Sequence, residues 1–163
     1  KYHSKRNHIS NFIKNHPDWR YEDISSDNIS ECIELHSNWI ETRENTDSEA
    51  DYSLEFEAVL SGFENYDALG FKGGLIRVGG KPIAYTYGES LNRHCFVTHF
   101  EKAPADIQGA YAIINREFAK RLEADGFVYV NREEDLGIPG LRKAKQSYKP
   151  EIWLIKETAV YNG

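Results

Sequence analysis

The stretch His94–Asp125 constrains this chain most. His94-Cys95-Phe96-Val97-Thr98-His99-Phe100 alternates between two faces and is rich in β-branched and aromatic residues, which predicts a strand. A polar turn, Glu101–Asp106, follows. Ile107, Ala110, Tyr111, Ile114, Phe118 and Leu122 then recur at steps of three and four, the period of a helix with one buried face. Gly126 is a natural helix stop, and Phe127-Val128-Tyr129-Val130 reads as a second strand. A strand, a helix and a strand on short links make a right-handed parallel crossover. Ligands of such units gather at the carboxyl ends of the strands, beside the helix N-terminus. Chemistry is therefore expected around residues 101–110 and 131–135.

The rest of the chain supplies a sheet and its cover. Ile9, Phe12 and Ile13 give a short helical face that Pro17 ends, within a basic segment containing His3, Lys5, Arg6 and His8. Trp19–Asp23 alternates and reads as a short strand. Ser25-Ser26-Asp27 is a capping cluster, ahead of a helix carrying Ile29, Ile33, His36, Trp39, Ile40 and Arg43. A further helix is expected to start near Asp47-Ser48 and to bury Tyr52, Phe56, Val59, Leu60 and Phe63. Gly79-Gly80 is a hairpin signal between the strands Leu75–Val78 and Ile83–Tyr87. After residue 130 come a short helix, Leu141–Tyr148, and a last strand, Glu151–Lys156. The fold class is α/β (α+β): a mixed, mostly antiparallel sheet with one parallel strand pair, flanked by helices.

A chain of 163 residues fits one domain, with 1–16 as a linker helix. No run is apolar enough to span a membrane. A net charge of −6 argues against broad nucleic-acid binding. Two cysteines make no disulfide framework and point to a reducing, cytoplasmic setting. Cys32 and His36 lie one helical turn apart, but two ligands do not make a metal site, and no metal is expected. Lys72-Gly73-Gly74 and Gly79-Gly80 lack phosphate-loop spacing and read as turns. The chain lacks methionine and begins at Lys1, so it is expected to be part of a longer protein.

The order of elements resembles that of the GNAT acyltransferases. The segments 100–103, 109–111, 114–119, Asn131-Arg132-Glu133-Glu134-Asp135-Leu136-Gly137 and Gly140–Pro150 resemble one branch more closely. That branch is the family related to the C-terminal domain of phosphatidylglycerol lysyltransferase, with distant kinship to the Fem peptidoglycan aminoacyltransferases. Lys5-Arg6-Asn7 looks like the segment that joins the two halves of such proteins. The resemblance implies the C-terminal half of a tandem GNAT-like protein that transfers an acyl or aminoacyl group to an amine or hydroxyl. The acceptor would be a small molecule or a lipid, and an N-terminal GNAT-like half would be a partner. The alternative is a non-catalytic half that completes the other half's site.

Common acetyltransferases hold the pyrophosphate of coenzyme A with Arg/Gln-x-x-Gly-x-Gly/Ala. Asp106–Tyr111 echoes this in part, which makes Gln108, Gly109 and Ala110 the cofactor-binding candidates. Asp106 beside them repels phosphate, so acyl-CoA and aminoacyl-tRNA both stay open as donors. The basic patches Lys1–His8 and Arg142–Lys149 would serve tRNA.

Acyl transfer needs a polarised carbonyl, a base and close positioning. Lys145 shares a helical face with Leu141, Ala144 and Tyr148. By resemblance it faces the substrate crevice, where it binds an anion or steadies the oxyanion; otherwise its stem covers the core. Glu133 is the candidate base among Glu133, Glu134 and Asp135, whose crowding raises carboxylate pKa values. Arg132, Glu101, Asn131 and Arg142 are the substrate-binding candidates. Glu101 and Lys102 point to opposite faces, and their plainer reading is a surface ion pair. Asn115 is expected to tie Asn131 or a loop in place. His99 is a second candidate base, though a strand histidine is more often a satisfied side chain.

Overall fold

The computed structural model describes residues 2–45 and 51–161. The chain forms two compact units, Lys1–Glu133 and Glu134–Gly163.

The first unit is built on a five-stranded sheet in the order β1-β2-β3-β4-β5: Arg20–Asp23, Lys72–Val78, Lys81–Asn92, Cys95–Lys102 and Tyr129–Asn131. The first four strands pair antiparallel, and β4 pairs parallel with β5. Gly79 and Gly80, both at positive φ, make the β2–β3 hairpin, which glycine does without a Cβ clash.

Both faces of the sheet are covered, so its central strands carry continuous buried runs instead of alternating buried and exposed residues. Helices α1 (His3–Asn15) and α4 (Ala110–Ala124) bury Ile9, Phe12, Ala110, Ile113 and Ile114 against Ile76 and Ala84. Helices α2 (Ile29–Glu44) and α3 (Ser53–Glu64) bury Cys32, Val59 and Phe63 against Leu75, Tyr85 and Tyr87 on the other face. Each large apolar side chain buried this way stabilises by about 1.5–3 kcal/mol. Arg77, nearly buried on β2, donates to Glu22 at 2.7 Å and to both oxygens of Glu31 at 2.6 Å, which fastens α2 to the sheet.

Three local expectations change. Asn28, not the Ser25–Asp27 cluster, stands at the N-cap of α2, with its side chain accepting from Ser25 N–H and donating to the Asp23 carbonyl. The helix expected from Asp47-Ser48 starts at Ser53, and residues 46–50 lie outside the described ones. Glu151–Lys156 is not a strand. A strand exists only as part of a hydrogen-bonded ladder, and among the described residues this segment has none. The described residues of the second unit form a turn, the short helix α5 (Pro139–Gln146) and a following segment without regular structure.

Candidate active site at a strand fork

The parallel pairing of β4 and β5 is short. Cys95 faces Tyr129, Phe96 faces Val130 and Val97 faces Asn131; β5 then ends while β4 runs on to Lys102. From Thr98 onward, that edge of β4 has no strand partner among the described residues, and the two strands part in a fork.

A bulge marks the same point. Tyr87 faces Phe100 but Gly88 faces Thr98, so His99 has no opposite residue on β3. The bulge needs glycine at 88, because a Cβ there would lie 1.9 Å from the Val97 carbonyl oxygen. The extra residue turns β4 over. Phe96 packs on Phe118 of α4, whereas Phe100 packs on Tyr87 toward α2 and α3.

Two side-chain pairs bridge the fork. His99 Nδ1 lies 2.8 Å from Glu133 Oε1, and its Nε2 lies 3.1 Å from Glu89 Oε1. Both nitrogens can donate at once only when the ring carries both protons. Glu133 has φ +55°, a left-handed backbone that a residue with a Cβ adopts at a cost. Its N–H donates to Asn131 Oδ1 at 2.8 Å, which fixes the turn. On the α4 side, Arg132 Nη2 donates to Glu101 Oε1 at 2.7 Å, and Asn115 Nδ2 donates to Glu101 Oε2 at 3.1 Å. Lys5 of α1 is close enough to feel both charges. Burial and Arg132 lower its pKa, and Glu101 opposes them.

The structure thus gathers Glu101, Asn131, Arg132 and Glu133 at one place and adds His99 and Glu89. Two readings are corrected. Asn115 holds Glu101 instead of Asn131, and Glu101 and Lys102 are not a surface pair. Lys102 points the other way and is nearly buried: its Nζ donates to both oxygens of Glu55 (2.8 and 2.9 Å) and lies 3.9 Å from the centre of the Trp39 ring. Burial lowers its pKa, and Glu55 opposes that shift. Nearby, His36 is fully buried, its Nδ1 3.0 Å from the Tyr85 hydroxyl, and burial followed by the Lys102 charge pushes it down to about 4. Cys32 is buried and its thiol is pushed up to about 12, so it behaves as a small hydrophobe. No group of three or more metal-ligating residues is arranged to hold an ion among the described residues.

The candidate cofactor residues open α4. Gln108 is exposed. Gly109 has φ +90°, and a Cβ there would meet the His8 carbonyl oxygen of α1 at 2.6 Å. Ala110 is buried and its N–H donates to the Ile107 carbonyl. Here the glycine serves the close approach of α1.

Lys145 and Arg142 belong to the second unit. Lys145 Nζ donates to the Glu134 carbonyl at 2.7 Å. Leu141, Lys145 and Tyr148 are half-buried, while α5 itself fully buries no residue. Arg142 holds Asp135 through two bonds (2.5 and 3.2 Å) and keeps that carboxyl below the usual range.

The sequence names His99 as a candidate base but not its partners: the signals that would have joined it to Glu89 and Glu133, and Lys102 to Glu55, are tertiary. Glu133 is 34 residues from His99, and Glu55 is 47 from Lys102.

Residues 1–158 match the family described as "Phosphatidylglycerol lysyltransferase, C-terminal". Among solved structures, a conserved protein of unknown function from Bacteroides thetaiotaomicron shares 45% identity at a TM-score of 0.86, covering 92% of this chain and 50% of that one. This chain thus spans about half the length of that relative. A ribosomal-protein-alanine N-acetyltransferase from Brucella melitensis shares 7% identity at a TM-score of 0.61, covering 88% of this chain and 99% of its own. The aminoglycoside N-acetyltransferase AAC(6')-Iy, in complex with a bisubstrate analogue, shares 7% identity at a TM-score of 0.58, with 89% and 97% covered. These last two likenesses establish a GNAT-like fold. No curated protein matches the chain.

Proposed function

Since the chain belongs to the phosphatidylglycerol lysyltransferase C-terminal family, we propose that it is an acyl-transfer domain whose chemistry takes place in the fork between β4 and β5. The observation that carries this reading is His99, displaced by the bulge where the strands part and gripped by the left-handed Glu133. Non-glycine backbone in that region persists where the surroundings impose it, and such residues cluster at functional sites.

As an acceptor amine or hydroxyl displaces the half-exposed Glu89, the Nε2 proton of His99 leaves with that carboxylate to solvent and Nε2 is left with a free lone pair. Nε2 takes the acceptor's proton as its nitrogen or oxygen bonds to the acyl carbon. The tetrahedral centre then collapses, the bond to the donor's leaving group breaks, and the imidazolium returns the proton to it. Glu133 orients the ring through Nδ1–H and steadies its charge. The unpartnered edge of β4 beyond Val97 offers backbone N–H groups to the donor, as a sheet edge does to an added strand. Arg132, oriented by Glu101, meets a carboxylate or phosphate on the substrate. Asn131 holds the turn that carries Glu133. We assign Lys145 and Arg142 of the second unit to substrate binding, and Gln108 to the donor. The family's description favours a lysyl or similar aminoacyl group as the part transferred and a lipid headgroup as acceptor; aminoacyl-tRNA and acyl-CoA are the two candidate donors.

The test is transfer by the full-length protein from aminoacyl-tRNA and acyl-CoA donors, with His99→Gln, Glu133→Gln and Lys145→Ala beside it. A fall of about a hundredfold or more in the first variant supports the reading. One observation favours a second reading, a half that completes another half's site: α1 closes over Gly109 and Ala110. Full activity in His99→Gln and Glu133→Gln would select it.

A further inference from the structure

The second unit, Glu134–Gly163, cannot close a core of its own. At about thirty residues it falls below the roughly forty at which a chain folds without a disulfide, a metal or a partner. Both cysteines, Cys32 and Cys95, lie outside it. None of its described residues, 134–161, is fully buried. Its densest apolar stretch is Ile152-Trp153-Leu154-Ile155, whose members are between 57% and 86% exposed. Lys156, at the end of the run, pairs with Glu134 at 2.6 Å. The segment is thus tethered by a charge while its apolar side chains face solvent. An exposed apolar run of this kind marks a surface that something else covers.

The pattern of the run says what covers it. In an extended chain, Ile152 and Leu154 point to one face and Trp153 and Ile155 to the other. Both faces are apolar, and charges bound the run at Glu151 and Lys156. A segment lying on a membrane surface shows one apolar face and one polar face. A run that is apolar on both faces suits a strand inside a sheet with a layer above and a layer below, where β2 and β3 carry their own continuous buried runs. Residues 151–156 span about 20 Å, the ordinary length of a strand. Only a sheet edge is missing. The Bacteroides relative, 45% identical, points to its source: this chain covers 50% of that one, so about as much polypeptide again lies beyond the matched part.

We propose that Glu151–Lys156 is a strand that this chain lends to the sheet of the other half of a longer protein. The backbone of 151–156 pairs along an open edge there, and the layers of that half cover Ile152 and Leu154 on one face and Trp153 and Ile155 on the other.

The experiment uses the full-length protein. Hydrogen exchange read by mass spectrometry follows the amides of 152–155, and p-benzoylphenylalanine in place of Leu154 crosslinks, under light, to whatever lies against the run. Exchange is slowed about a hundredfold or more relative to an unfolded peptide, and the crosslinks fall in the same polypeptide outside residues 1–163. Leu154→Asp lowers the melting temperature by about 4 °C or more, whereas Tyr161→Asp, at an exposed position outside the run, leaves it within about 1 °C. Five results would overturn the proposal: exchange at unfolded rates; protection gained only with phosphatidylglycerol vesicles; crosslinks confined to residues 1–163 or to a second copy, told apart by mixing light and heavy protein; no protein crosslink at all; or equal melting of the two variants. The exchange measurement needs no variant, so a Leu154→Asp chain that fails to fold leaves the proposal testable. No transfer is assayed, so its failure and that of the acyl-transfer reading are separate.

Discussion

Glu101 and Lys102 are neighbours on β4 and have opposite surroundings. Lys102 enters a closed cluster: both Glu55 oxygens, the face of Trp39, and His36 with Tyr85 beyond them. Glu101 enters the fork, where Arg132 and Asn115 hold it and where His99 and Glu133 stand half-exposed. Both regions pair their charges, so pairing alone does not separate structure from function. Access does. A charge paired under aromatic rings holds helices to the sheet, whereas one paired across an opening can exchange its partner for a substrate.

The sharpest way to break this contrast is to weaken each side in turn. His99→Gln or Glu133→Gln should lower transfer by the full-length protein about 10²–10⁴-fold, with the melting temperature nearly unchanged. Lys102→Met should do the reverse. If Lys102→Met abolishes transfer without loss of stability, the assignment of the two regions is inverted.

Acid offers a second test. His36 takes up a proton near pH 6.5 when unfolded but only at about 4 when folded. Between those values the unfolded chain binds more protons, so stability falls as the pH drops from 6.5 toward 4 and is level above that window. The loss approaches about 3 kcal/mol, read from urea midpoints, and His36→Gln should flatten it. A smaller effect is expected of Lys102→Met alone. It leaves Glu55 without its partner and should cost about 2 kcal/mol; adding Glu55→Gln should recover most of that, by the same urea measurement. Smallest is Asn115→Ala, which removes one bond to Glu101 and should cost about 1 kcal/mol. A larger rise in the KM of the acceptor would show that Asn115 aims Glu101 and Arg132.

The crossover unit was legible because its signals are local. The alternation of 94–100, the spacing of Ile107 to Leu122 and the stop at Gly126 lead to β4, α4 and β5, and Gly79-Gly80 marks the hairpin. The bulge was not, because alternation within β4 says nothing of a skipped residue opposite Gly88. The strand expected at Glu151–Lys156 failed for the opposite reason. Its residues favour a strand, but a strand also needs a neighbouring edge. The gathering of Glu101, Asn131, Arg132 and Glu133 followed from the ends of two strands meeting. His99 lies on β4 and was readable as a candidate base, but its partner Glu89 on β3 and the nearby Lys5 of α1 come from other elements, and no spacing rule reaches them.

The second hydrogen on the α-carbon of Gly88, where any other residue carries a side chain, decides more than a local kink. Without the skipped residue it permits, the last stretch of β4 would be rotated half a turn, since a slip of one residue exchanges the faces of a strand. Glu101 would then confront Glu55, acid against acid, and Lys102 would look toward Arg132, base against base. The whole charge plan at this end of the molecule therefore has its handedness written by the residue with no side chain.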